Sequence, residues 1–202
     1  MNTTEAITTR RSTRAYRPDA VEDEKLAQII QAGRVAPCGG NSQTTHFLVI
    51  RNRRILEELA AIVCGAFAAM EIVPDMYKSL KASVLAAKKG GYVFHYNAPI
   101  LIVTANKKAY GNAMADCACA VENMMLAANE LDLGSCWINQ LHWLDENPTV
   151  RSYMLKLGLG EDETICAAVS IGKPDTKTGL PVREPRTITG NPVEYIDEYI
   201  LK

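Results

Sequence analysis

Four arginines fall within eight residues near the start of the chain, in the stretch TTRRSTRAYRPD. Planar guanidinium groups match phosphate or carboxylate oxygens with two parallel hydrogen bonds. Arg10, Arg11 and Arg14, with the hydroxyl of Ser12 between them, therefore form a candidate clamp for a small anion. The plainer alternative is a solvated arm. Arg17, just before Pro18, has no assigned part in the clamp. A second cationic pair, Arg183 and Arg186, lies in the C-terminal tail. The segment PCGGNSQ is the next constellation. Asn41 and Gln43 each carry paired donor and acceptor groups, and Gly39 and Gly40 let backbone approach a ligand closely. That suits a planar ring with several heteroatoms, although an ordinary helix-to-strand turn uses the same residue types. The third is GSCWINQ, Gly134 to Gln140, where Trp137, Asn139 and Gln140 either line a flat apolar slot or flank a core tryptophan.

Other chemistries have less support. The chain has no GxGxxG after a strand, no P-loop and no GxSxG elbow. Cys38 has no histidine close in sequence, so a thiol nucleophile would need folding to bring up His46, His95 or His142. With three scattered histidines and no CxxC pair, no metal site is expected. The six cysteines (Cys38, Cys64, Cys117, Cys119, Cys136, Cys166) sit in apolar runs and read as buried free thiols, which suits a cytoplasmic protein. A net charge of −1 argues against a general nucleic-acid binder, which carries a basic excess. The longest apolar run, Leu59 to Met70, is too short to span a bilayer. No apolar segment of a secretion signal follows the N-terminus. Neither nucleic acid nor membrane is expected as a partner.

The elements that must position these groups follow from periodicity. Leu26, Ile29, Ile30 and Gly33 share one helical face, with Glu22, Asp23 and Glu24 in the first turn. The loop PCGGNSQTT then leads into the short strand HFLVI. Residues 54–70 read as a helix, and 74–91 as a helical excursion or a flap. APILIVTAN is a buried strand by its β-branched content. The helix GNAMADCACAVENMMLAANELDLG is apolar almost all round, which implies burial on more than one side, within the domain or at a dimer interface. SCWIN and TICAAVSIG are strands, with a short helix over 147–156 between them. The tail from Pro181 reads as an extended arm with a final apolar stretch. With 202 residues and 48% apolar content, one domain of α+β or α/β class is expected, with helices packed on one sheet.

Together these pieces resemble the nitroreductase family of FMN-dependent NAD(P)H oxidoreductases. RRSTRAY is similar to that family's opening R-R-S-x-R-x-[FY]. APCGGNSQTTHFLVI is similar to A-P-S-x-x-N-x-Q-P-W-x-F-x-V. DCACAVENMMLAANELDLGSCWI resembles the family's central helix and following strand, and ICAAVSIGKP the strand ending in G-x-P. The four motifs occur in order and cover nearly the whole chain. The departures are Cys38 for Ser, Thr44-Thr45 for Pro-Trp, DLG for GLG, and REPRTI in the tail. They touch the substrate pocket more than the cofactor site.

The resemblance implies a single domain over residues 1–202, of α+β class, with a central, mainly antiparallel sheet flanked by helices. It implies an intertwined homodimer holding FMN in two interface pockets. Arg10, Arg11, Ser12 and Arg14 would hold the phosphate and ribityl chain, with Arg186, alone or together with Arg183, arriving from the tail. Asn41 and Gln43, with Pro37, Cys38 and Gly39, would reach the flavin from the partner subunit. Cys136, Trp137, Ile138, Asn139 and Gln140 would line the ring. NADH or NADPH would supply a hydride, and a nitroaromatic, quinone or similar small molecule would accept it by a ping-pong scheme. No protein acid or base is expected to be essential. Relatives with another flavin reaction, such as dehydrogenation or reductive dehalogenation, and an FMN storage or sensor module remain as alternatives. Residues 74–96 fall where the family varies most and are expected to shape the substrate pocket.

Overall fold

A computed structural model describes residues 1–184 and 186–197. Four strands, β1 (His46–Ile50), β2 (Ile100–Lys107), β3 (Gly134–Ile138) and β4 (Glu163–Gly172), form one sheet in the order β1-β2-β4-β3. Every neighbouring pair is antiparallel. No tight hairpin joins neighbours, in keeping with a sequence that holds neither Asn-Gly nor Asp-Gly.

Among the described residues seven α-helices surround the sheet: α1 (Thr3–Thr9), α2 (Asp23–Arg34), α3 (Arg53–Ala68), α4 (Lys78–Lys89), α5 (Ala113–Glu130), α6 (Gln140–Trp143) and α7 (Pro148–Lys156). Local signals set their starts. Asn52 and Asn147 accept backbone N–H bonds in the first turns of α3 and α7, and Pro148 opens α7. The 74–91 excursion resolves into the helix α4. The helices α1 and α6 were not expected. Each is a single short piece of at most two turns, too brief for periodicity to register.

Strand alternation separates two cores. Leu101, Val103 and Ala105 of β2 face Leu56, Leu59, Val63 and Phe67 of α3, together with Val84 of α4 and Met154 of α7. Ile100 and Ile102 face Leu26 and Ile29 of α2 and Val121, Met124 and Met125 of α5. Gly33 is part of that second contact because a methyl there would lie 2.9 Å from Met124 Cγ and 3.0 Å from Phe47. The pairing slips between Thr104↔Ala167 and Ala105↔Ile165, so Cys166 is an extra residue in β4. Such a bulge switches the facing of everything beyond it. Ile165 therefore joins the α3 side although Ala167 lies on the α5 side. Cys166 itself packs with Ala113 and Cys117 at the start of α5.

All six cysteines are unpaired. Only Cys117, Cys136 and Cys166 are buried; Cys119 is exposed, because the two residue steps from Cys117 turn a side chain about 200° round the helix. Among the described residues no helix is long and apolar enough to cross a membrane. The tail beyond Pro181 has neither helix nor strand through residue 197, except that Pro185 is outside the described residues, as is the end of the apolar stretch at 198–202.

Candidate functional site

The arginine segment lies along the free edge of β3. After α1 the chain runs extended, and Ser12 pairs in parallel with Ser135. The Thr13 N–H donates to the Ser135 carbonyl at 2.8 Å. Gly134 permits this approach: a methyl there would meet the Thr13 side chain at 2.6–2.7 Å. Tyr16 locks the segment from below, its hydroxyl 2.8 Å from the Thr13 carbonyl and 2.9 Å from Ser170 Oγ. Burial pushes the Tyr16 hydroxyl far above the usual phenol range, so it stays protonated.

The cations on this edge are differently employed. Arg10 Nε lies 3.7 Å from Glu122 of α5. Arg11 Nη1 donates to the Thr8 and Arg10 carbonyls, whereas its Nη2 is buried with no partner. Arg14 is exposed and sits 5.9 Å over the Tyr96 ring. Ser12 is exposed as well. Beneath them Cys136 is buried; burial raises its pKa against the pull of Arg14 and Ser12, keeping the thiol neutral. The edge thus presents the exposed charge of Arg14 and an unused donor on Arg11, neither matched by an anion among the described residues.

The second constellation forms a separate place. Within residues 38–43, Gly40, Asn41 and Gln43 adopt left-handed backbone, at φ 56°, 53° and 49°. A non-glycine residue held there costs about 1–3 kcal/mol, so something must hold it. The Gly39 N–H donates to Asp116 Oδ1 at 3.0 Å, and the Tyr110 hydroxyl lies 2.9 Å from Asp116 Oδ2 and 3.0 Å from the Gly39 carbonyl. Gln43 Nε2 donates to Asn41 Oδ1 at 3.0 Å. A cavity of about 520 Å³ opens here, lined by Pro37, Cys38, Asn41, Gln43, Arg34 and Phe47 among others.

One helix separates the two places. Arg10 meets α5 at Glu122 and Gly39 meets it at Asp116. Six helical residues amount to about 9 Å of rise and about 120° of rotation, so the two half-sites face different ways. The cavity beside residues 37–43 is lined by none of Arg10, Arg11, Ser12 or Arg14.

The remaining expected residues are distributed as follows. Cys136 and Ile138 point into the α3-side core, while Trp137 and Asn139 are partly exposed, with Trp137 Nε1 donating to Asn139 Oδ1 at 2.5 Å. Gln140 is buried, and its Nε2 donates to the Tyr92 hydroxyl at 2.9 Å. Tyr92 also meets Ser83 of α4 at 2.9 Å, so this network ties the 78–96 excursion to the end of β3. Arg183 reaches the C-terminus of α5, pairing with Asp132 at 2.7 Å and donating to Asn129 Oδ1 at 3.2 Å. A cation there also suits the helix dipole. Asn129 in turn donates to the Ala6 carbonyl and Thr9 Oγ1 of α1, which brings Arg183 to the helix that leads into Arg10. Arg186 is exposed.

Sequence reasoning missed Asp116, Tyr110 and Tyr96 as contributors. A signal existed for Asp116: it is the one acidic residue in the first turn of the long apolar-rich helix α5. Tyr110 and Tyr96 carried none, since their roles arise from contacts distant in sequence.

Comparison with known proteins gives these features a setting. The family model described as the nitroreductase family matches residues 7–173. A protein of Archaeoglobus fulgidus, provisionally named NADH dehydrogenase/NAD(P)H nitroreductase, is 30% identical over 168 residues, 83% of each chain. The crystal structure of a nitroreductase with bound FMN from Bacteroides fragilis superposes with a TM-score of 0.83 at 35% identity, covering 96% of this chain and 99% of that one. An FMN-bound nitroreductase from Desulfitobacterium hafniense shares the fold, with a TM-score of 0.80 at 24% identity over 98% of this chain and 100% of that one. The antiparallel sheet and the ordered motifs agree with these matches over most of the chain's length: the chain belongs to the nitroreductase family.

Proposed function

We propose that this chain is an FMN-dependent NAD(P)H oxidoreductase that reduces small acceptors such as nitroaromatics or quinones, acting as a homodimer in the cytoplasm. The observation that carries the reading is the cationic edge of β3. Arg11 Nη2 is a buried donor without a partner, and such groups are rare in folded proteins. Beside it, Arg14 and Ser12 are exposed. A phosphate monoester fits this set in charge and in donor chemistry. The FMN-bound relatives support the same identity. Six unpaired cysteines suit a reducing compartment.

When bound, FMN supplies the redox chemistry, hydride uptake from the nicotinamide and delivery to the acceptor. The chain supplies binding and electrostatics. Arg10, Arg11 and Arg14 would neutralise the phosphate, and Ser12 would donate to it. Asn41 and Gln43 would offer amide donors and acceptors to the heteroatoms of the ring. Trp137 and Asn139, the partly exposed members of the β3 end, would border the ring, and Arg183 or Arg186 would add charge from the tail. Amide donors and cations near the ring edge stabilise negative charge developing there. No side chain is assigned as an essential acid or base. The separation of the two half-sites on α5 supports completion of each pocket by a second copy of the chain. Intact protein should purify with a flavin absorbance band that NADH or NADPH bleaches anaerobically. A colourless protein that FMN cannot reconstitute would overturn the reading.

A further inference from the structure

The left-handed turn at residues 38–43 has one anchor. Asp116 is 5% exposed, and its carboxylate is approached by three donors: the Gly39 N–H at 3.0 Å, the Tyr110 hydroxyl at 2.9 Å and Ser42 Oγ at 3.4 Å. The Tyr110 hydroxyl has one proton and lies close to both Asp116 and the Gly39 carbonyl. Ser42 Oγ also has one proton, which serves either the carboxylate or the Tyr110 oxygen 3.2 Å away. Hydrogen bonds to an ionised acceptor are the stronger kind, and low exposure strengthens them further. Position helps as well, because Asp116 lies in the first turn of α5, where the helix dipole favours negative charge.

A second observation is steric. A methyl on Gly39 would lie 2.1 Å from Asn112 Nδ2 and 2.6 Å from the Tyr110 hydroxyl. The φ of Gly39 is not in the left-handed region, so close approach is the reason for glycine at this position. The turn is pressed against the start of α5, and α5 is itself seated on the Cys166 bulge through Cys117 and Ala113. The turn thus inherits its position from the sheet.

We propose that Asp116, assisted by Tyr110, is a positioning residue for the cofactor pocket: it fixes the strained turn that presents Asn41 and Gln43. This role rests on the flavin reading given above. Asp116 touches no ligand in it and acts through the backbone of Gly39 and the side chain of Ser42.

Three variants of the full chain test this: Asp116→Ala, Asp116→Asn and Tyr110→Phe. Amide hydrogen exchange at residues 39–43 and the FMN dissociation constant are measured on each, with thermal unfolding as a control for global damage. Asp116→Ala is expected to speed exchange in the turn and to weaken FMN binding, each by at least about tenfold, the loss of one charge-assisted bond. Asp116→Asn keeps an acceptor for the Gly39 N–H and should recover part of both effects. Should Asp116→Ala fail to fold, Tyr110→Phe keeps the carboxylate and should still shift both quantities several-fold. Unchanged exchange in the variants that fold overturns the role. Faster exchange with an unchanged FMN dissociation constant also overturns it, leaving the flavin reading standing. A wild-type chain with no affinity for FMN overturns the flavin reading and this role together.

Discussion

Arg14 and Gly134 show two ways a single residue can serve the β3 edge. Arg14 is exposed, and its one described contact is the Tyr96 ring. Its charge is therefore free for an anion. Arg14→Ala should raise the FMN dissociation constant roughly tenfold to hundredfold, from the loss of about 1.5–3 kcal/mol in a bond to a charged group. Fluorescence titration measures this, and an unchanged constant would make Arg14 a surface charge only. Gly134 acts by absence. Gly134→Ala would press a methyl into Thr13 and displace the arginine segment from β3. FMN affinity should fall while circular dichroism of the sheet stays close to wild type; tight FMN binding by this variant would refute the expected displacement. The arginine types were legible in the sequence because guanidinium chemistry is local. The reason for glycine at 134 was not, because Thr13 lies 121 positions away.

At the scale of elements, the helices α2, α3, α5 and α7 and all four strands were legible, because their periodicity or β-branched content extends over many residues. The connection between α7 and β4 shows what was not. Asp145 is buried after α6, and it accepts from Arg151 Nη1 at 2.9 Å, Thr164 Oγ1 at 2.6 Å and the Ile165 N–H at 3.2 Å. Arg151 also donates to the Gly160, Glu161 and Glu163 carbonyls. This pair fixes α7 against the entry to β4, just before the bulge at Cys166. Removing one partner of a buried pair leaves an uncompensated charge, at a cost of about 3–5 kcal/mol. Arg151→Ala should lower the urea midpoint accordingly, and a change below about 1 kcal/mol, the size of an exposed pair, would show that Asp145 gains water instead. The bulge was invisible in sequence because one extra strand residue disturbs alternation only where the pairing partner is known.

At the scale of the whole molecule, stability should depend on pH through His95. The ring is 4% exposed and neither nitrogen finds a hydrogen-bond partner. Burial lowers its pKa, partly countered by backbone around Leu56 and Ala98. The unfolded chain therefore binds a proton more readily than the folded one. Stability from keeping His95 neutral is complete above the ordinary histidine range and is lost as pH falls through it toward the lowered folded value. Thermal unfolding between pH 7.5 and 5 should show this loss, and His95→Phe should flatten the profile; an identical slope in that variant would assign the loss elsewhere. The proposed shared pocket carries a further expectation. Donor and acceptor would use the same pocket in turn, giving parallel double-reciprocal lines, and the protein should elute at twice the 22.2 kDa chain mass. Intersecting lines or a monomer active with FMN would contradict this assembly.

The sequence by itself determined the chemistry on offer and the elements that carry it. Arginine forks, amide side chains and apolar periodicities are properties of a few neighbouring residues, so they survive being read without a fold. Only the tertiary structure decided where these groups stand. It placed the arginine segment on the edge of β3 and turned residues 38–43 onto another face of α5. It also gave Asp116 and Tyr110 their part, because a left-handed turn at Asn41 and Gln43 persists only when distant groups hold it there.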